Sequence, residues 1–303
     1  MNTPSNAPPS RMPASDTMYW SIRRELWENR SLTIAPLAVA GFVLFVTMVI
    51  AFGLPRRMRT LATLDPAKQH AVLVGPFTMP PSAIMVTVIL VGLFYSIDAL
   101  YGERRDRSIL FWKSLPVSDL TTVLSKAAIP LVVLPFIGFA LSVAAQLVTL
   151  LWSTLILMGT GMSPAAYWGE LHLLEMPVTL IYGIGVFALW HAPIYAYLLM
   201  VSAWARRAPI LWALLPMVVI SMVERMVFHT SHFASLQAHR FMGALTLAFN
   251  VTRQANGHIG IIDRFDQLNP GRFLTAPGLW IGLLLAAAFL AAAVRLRRNR
   301  EPL

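Results

Sequence analysis

The chain has 303 residues, 57% of them hydrophobic and 13% charged, against about 45–50% and about 25% in soluble globular domains, which excludes a water-soluble globule and calls for a bilayer. The net charge of +10 does not mark a nucleic-acid partner, because Lys and Arg stand beside apolar runs rather than along one polar face; membrane orientation accounts for them instead. Cysteine is absent, which removes disulfides, thiolate metal sites, iron–sulfur clusters and thiol nucleophiles.

Residues 1–17 are rich in Pro, Ser and Asn and lack an apolar core, so they read as a disordered tail rather than a signal peptide. The rest, 18–303, reads as one transmembrane domain. Over 18–30 a helical wheel puts Met18, Tyr19, Ile22 and Leu26 on one stripe with Trp20 and Trp27 beside it, while Arg23, Arg24, Glu25 and Glu28 take the remainder. That pattern predicts an amphipathic helix lying in the membrane interface. Tyr19, Trp20, Arg23, Arg24 and Trp27 are its candidate lipid-contacting residues.

A hydrocarbon core of about 30 Å needs about 20 apolar residues per helix. Six runs reach that scale: 33–54, 82–101, 127–152, 177–203, 209–228 and 277–294. The fold class is therefore an all-α integral membrane protein with six transmembrane helices after an interfacial helix. Fifteen of the Lys and Arg residues fall on the side of the two termini and nine on the other, mostly in longer loops. Both termini are accordingly expected in the cytoplasm. Arg56, Arg57 and Arg59 break that rule, and nothing in the sequence explains them.

Between the second and third runs the chain reads Gly102-Glu103-Arg104-Arg105-Asp106-Arg107-Ser108, then Ile109-Leu110-Phe111-Trp112, then Leu115-Pro116-Val117-Ser118-Asp119, with Lys126 opening the next span. Anchoring to headgroups accounts for the arginines but not for Glu103, Asp106 or the Phe111-Trp112 pair. A rim of charge around an aromatic anchor suits a groove on a partner protein. Ser118 suits an N-cap.

This segment, with the interfacial helix, the six spans and a long loop between the fifth and sixth, resembles the permeases of ABC-2-type exporters over nearly the whole chain. The resemblance implies a bacterial inner-membrane, multi-pass permease. Two copies of such a chain work with two ABC ATPase subunits, which bind the ATP and Mg. Glu103, Arg104, Arg105, Asp106, Arg107, Phe111, Trp112 and Pro116 would then couple to the ATPase, and the second and fifth spans would line a shared pathway. Short re-entrant helices are common in the last outer loop of this family, and 233–249 is apolar enough to supply one. The chain itself contains no Gly-x-x-x-x-Gly-Lys-Ser/Thr loop, in keeping with ATP bound elsewhere. The expected cargo is amphiphilic or hydrophobic: a lipid, peptide or drug-like molecule.

Polar residues within spans are functional candidates by default. Asp98, His191, Glu224 and Arg225 are the candidates for a pathway or gate. The plainer readings are an ion pair of Asp98 with a nearby Arg, and hydrogen bonds from His191 and Gln146 to neighbouring helices. His229, His232 and His239 have loose metal-like spacing, but no metal is expected. The competing readings are a lipid-modifying membrane enzyme and a non-catalytic membrane scaffold. The first requires paired acids, a Ser/His pair or metal ligands at one depth, and the spans offer one Asp and one His near opposite depths.

Overall fold

A backbone in lipid must bond its own N–H and C=O groups, so long apolar runs fold as helices. The computed structural model describes residues 13–61, 65–109, 117–171, 173–251 and 261–299, apart from the side chains of 14, 66–68, 166 and 170. Six of its helices are long and apolar enough to cross a membrane. In chain order the helices are α1 (Ala14–Glu28), α2 (Ser31–Ala51), α3 (Leu54–Thr60), α4 (Pro66–Arg105), α5 (Asp119–Gly159) and α6 (Ala165–Glu170). They continue with α7 (Glu175–Trp204), α8 (Pro209–Phe228), α9 (His232–Ala248), α10 (Pro270–Leu274) and α11 (Pro277–Asn299). Among the described residues there is no strand, only an isolated antiparallel bridge between Phe249 and Leu268. The chain is an all-helical, multi-pass membrane protein.

Two spans depart from their apolar runs. The second was expected over 82–101, yet α4 has 40 residues, about 60 Å, twice the hydrocarbon thickness. It passes through Pro76, Pro80 and Pro81, where a break would leave carbonyls bare. Two side-chain back-bonds lie in the same stretch, Thr78 to Gly75 O at 3.1 Å and Ser82 to Thr78 O at 2.7 Å, on carbonyls other than those the prolines free. The third span likewise extends from 127–152 to 119–159, with a π turn over Ile129–Val133 at Pro130. Beyond the end of α2, the projecting halves of α4 and α5 support a second core of Leu54, Leu73, Val74, Phe77, Leu157 and Tyr167. This distal core lies at the end of the bundle away from the termini.

α7 is the hub, with Ile184, Trp190, Tyr195 and Leu199 among its buried residues and α4 and α11 against it. α9 runs antiparallel to α7, in the place where 233–249 was read as able to form a helix. Trp190 Nε1 donates to Arg240 O at 2.8 Å, and Tyr182 OH to Ala248 O at 3.1 Å. The Arg240 guanidinium lies over the Trp190 ring at 4.5 Å and donates to Gly278 O at 3.0 Å. A Cβ on Gly282 would stand 2.0 Å from Arg240 Nη2, so a larger residue there would push the guanidinium aside.

The fifth span, α8, is different. Only 6% of its apolar window is buried, against 56% for α7. Its first turns meet the bundle through the Tyr197 OH bond to Ala213 O and the Trp204–Trp212 ring contact. Beyond them Leu214, Val218 and Met222 are exposed.

Candidate functional site

α1 lies against the end of the bundle where both termini gather. Ile22 and Leu26 pack on the core built from α2, α4 and α5. Glu25 stands at the edge of that stripe, one turn after Ile22, and the docking of α1 turns it inward, where its exposure is 0%. The wheel places Glu25 outside the apolar stripe. It is instead the centre of a buried ion cluster. Lys126 Nζ stands 2.8 Å from Glu25 Oε1 and 3.2 Å from Glu103 Oε1. Arg24 Nη2 is 2.6 Å from Glu25 Oε1 and 3.6 Å from Glu103 Oε1, and Tyr95 OH donates to Glu25 Oε2 at 2.7 Å. On the other side of Glu103, Arg297 reaches its Oε2 at 3.2 Å and also bonds the Asp119 carboxylate.

Six side chains pair three carboxylates (Glu25, Glu103, Asp119) with three cations (Arg24, Lys126, Arg297), and the half-exposed Glu28 adds a fourth carboxylate 3.7 Å from Arg24 Nε. Pairing matters because an unpaired buried charge costs several kcal/mol. The six side chains come from α1, α4, α5 and α11, so the cluster clasps the first and last described helices to the root of the segment after the second span. Burial alone would raise the Glu25 carboxyl, but the charge of Lys126 and hydrogen bonds from Lys126, Tyr95 and Arg24 outweigh it and hold it below its ordinary value of 4.5. A depressed carboxylate stabilises the fold fully above its ordinary value, and that contribution is lost as pH falls through the lower folded value. The melting midpoint in detergent is therefore expected to fall as pH drops below 4.5, by less in Glu25→Gln; identical acid limbs for the two chains would contradict the clasp.

The other face of α1 is open. Tyr19, Trp20 and Trp27 are exposed, and Arg23 stacks over Trp20 at 5.1 Å and Trp27 at 4.5 Å. Of the five candidate lipid contacts, Arg24 is the one that turns inward.

The coupling candidates divide. Glu103 and Arg104, read as part of the docking rim, point into the protein. Arg104 is 2% exposed and bonds the carbonyls of Ala203 and, at 3.1 Å, Ala205, closing the end of α7. Ser202 Oγ meanwhile accepts the Leu100 and Tyr101 N–H groups at 3.0 and 2.9 Å. Arg105, Asp106 and Arg107 are exposed. Arg105 bonds Asp106 at 3.0 Å and stands 3.8 Å from Asp98, so the expected partner of Asp98 is Arg105. Arg107 takes φ 58°, a left-handed turn that swings the chain off α4 and that few residues other than glycine adopt. Phe111, Trp112 and Pro116 lie outside the described residues. The chain re-enters at the Ser118 cap, whose hydroxyl accepts Thr121 N–H at 3.0 Å.

Beside the clasp, an open cavity of about 780 Å³ separates the α1–α2 junction from the last turns of α4. Leu32, Val91 and Phe94 line its apolar side, and Glu28, Asp98 and Asp106 its polar side.

Comparisons with known protein families, with curated proteins and with solved structures give no match for this chain.

The gate candidates are dispersed. His191 Nδ1 pairs with Phe187 O at 3.0 Å within its own helix and its ring stacks on Phe187, and the ring also meets the Phe241 backbone of the neighbouring α9. Gln146 does reach across, to Met176 Sδ at 4.0 Å. Glu224 does not pair with Arg225; it accepts from Thr230 Oγ1, His232 N and Phe233 N at 2.7–2.8 Å and so caps α9. Among the described residues no three His or acidic side chains converge as metal ligands. Sequence reasoning missed Glu25, Tyr95, Asp119 and Arg297 as one site. The available signal was an acid at the edge of the Ile22–Leu26 stripe.

Proposed function

We propose that this chain is the membrane permease subunit of an ABC-2-type exporter, with two copies working together and two ATP-hydrolysing subunits docked on the side of the termini. The observation that carries the reading is the exposed Arg105-Asp106-Arg107 turn rooted in the buried clasp. A push from a closing ATPase on the segment after α4 would reach α1, α4, α5 and α11 together instead of bending one helix. ATP and Mg belong to the partner in this reading. The work done by this chain is conformational, moving an amphiphilic or hydrophobic molecule outward. The bare surface of α8 supports a second copy, with Leu214 to Met222 and the exposed Val86 and Leu90 of α4 facing a shared pathway.

The topology of this reading has a direct test, since cysteine can be introduced into a chain that has none. Ser108→Cys and Asn299→Cys should be shielded from an impermeant thiol reagent in intact cells, and Ser235→Cys should react. Labelling of Ser108→Cys from outside would place the docking segment on the wrong side and end the proposal.

A further inference from the structure

α3 places three arginines at the distal end of the bundle, where orientation by positive charge has no use for them. Leu54, Met58 and Leu61 recur on one face and pack on the distal core. Arg56 and Arg59 are thereby exposed and Arg57 is half-buried. Among the described residues no carboxylate pairs with any of the three. Aromatic rings mark the depth. Phe52, one turn before Arg56, is exposed and meets Trp152 edge-on at 5.8 Å, and Trp152 Nε1 donates to Met48 O at 3.1 Å. Trp168 is exposed nearby in the chain that follows α5, its Nε1 donating to Thr154 Oγ1 at 3.0 Å. Such rings collect where hydrocarbon meets headgroups. The three arginines follow Phe52 just across the break between α2 and α3.

We propose that α3 is a binding site for anionic phospholipid headgroups, with Arg56, Arg57 and Arg59 taking phosphate oxygens of the leaflet at the distal end. All three cations are Arg, whose planar fork meets phosphate in a bidentate way that an ammonium cannot. The site accounts for cations that break the orientation rule, and it stands apart from the exporter reading because it is measured on the permease alone.

The test uses the full chain in nanodiscs of phosphatidylcholine alone and of graded mixtures with phosphatidylglycerol, reading the thermal midpoint. The natural chain should gain stability with phosphatidylglycerol. In R56Q/R57Q/R59Q most of that gain should vanish, with the midpoint in pure phosphatidylcholine unchanged. The apparent affinity should drop roughly fivefold per arginine removed. The corresponding triple Lys chain should retain part of the gain. No gain in the natural chain, or an equal gain in the triple Gln chain, overturns the site. If the triple variant fails to assemble, R59Q alone decides: an undiminished gain overturns the proposal. A gain reproduced in lipid-free detergent by inorganic phosphate would assign the arginines to a free anion and overturn the lipid assignment.

Discussion

Lys126→Met is expected to destabilise the fold by about 3–5 kcal/mol, because it leaves buried carboxylates without their ammonium. Lys126 touches Glu25 at 2.8 Å and Glu103 at 3.2 Å, and it is 2% exposed. The same reasoning predicts rescue. Glu25→Gln removes one orphaned charge and keeps an acceptor for Tyr95, so the double variant should recover a large part of the loss. The measurement is a double-mutant cycle on the thermal midpoint in detergent. Additive effects, or a Lys126→Met chain as stable as the natural one, would mean that the clasp does not hold the four helices together.

The number and identity of the spans were legible from apolar length alone, because lipid leaves the backbone no alternative to a helix. Their ends were less so. The second apolar run begins at 82, yet α4 continues back through the prolines at 76, 80 and 81 as far as Pro66. Hydropathy also has no means of seeing the distal core, where Leu73, Val74 and Phe77 are buried against α3, α5 and α6.

The site was legible by position but not by direction. The charged run after the second span was recognised as a unit, yet sequence spacing alone does not tell an inward Glu103 from an outward Asp106. The choice depends on Lys126 and Arg297, 23 and 194 residues away in the chain, arriving at the same carboxylate. Glu25 shows the same limit. On an isolated wheel it belongs to the polar face, and only the docking of Ile22 and Leu26 makes that edge of α1 an interior.

In the proposed function the exposed turn transmits work from a separate ATPase, and Arg105→Glu with Arg107→Glu tests that coupling. Both side chains are exposed and outside the clasp, so the variant should fold and melt like the natural chain. Charge pairs of a docking rim are worth about 1–3 kcal/mol or more, so reversing two should weaken ATPase association at least tenfold. The most direct measurement is to purify this chain with an ABC ATPase produced alongside it, in nanodiscs, and to read both the mass of the complex and its ATP hydrolysis. The account predicts two copies of each chain and hydrolysis stimulated by the permease, with both lost in the double Glu variant. A permease that remains a lone monomer, or a double variant that retains and stimulates the ATPase like the natural chain, would contradict it.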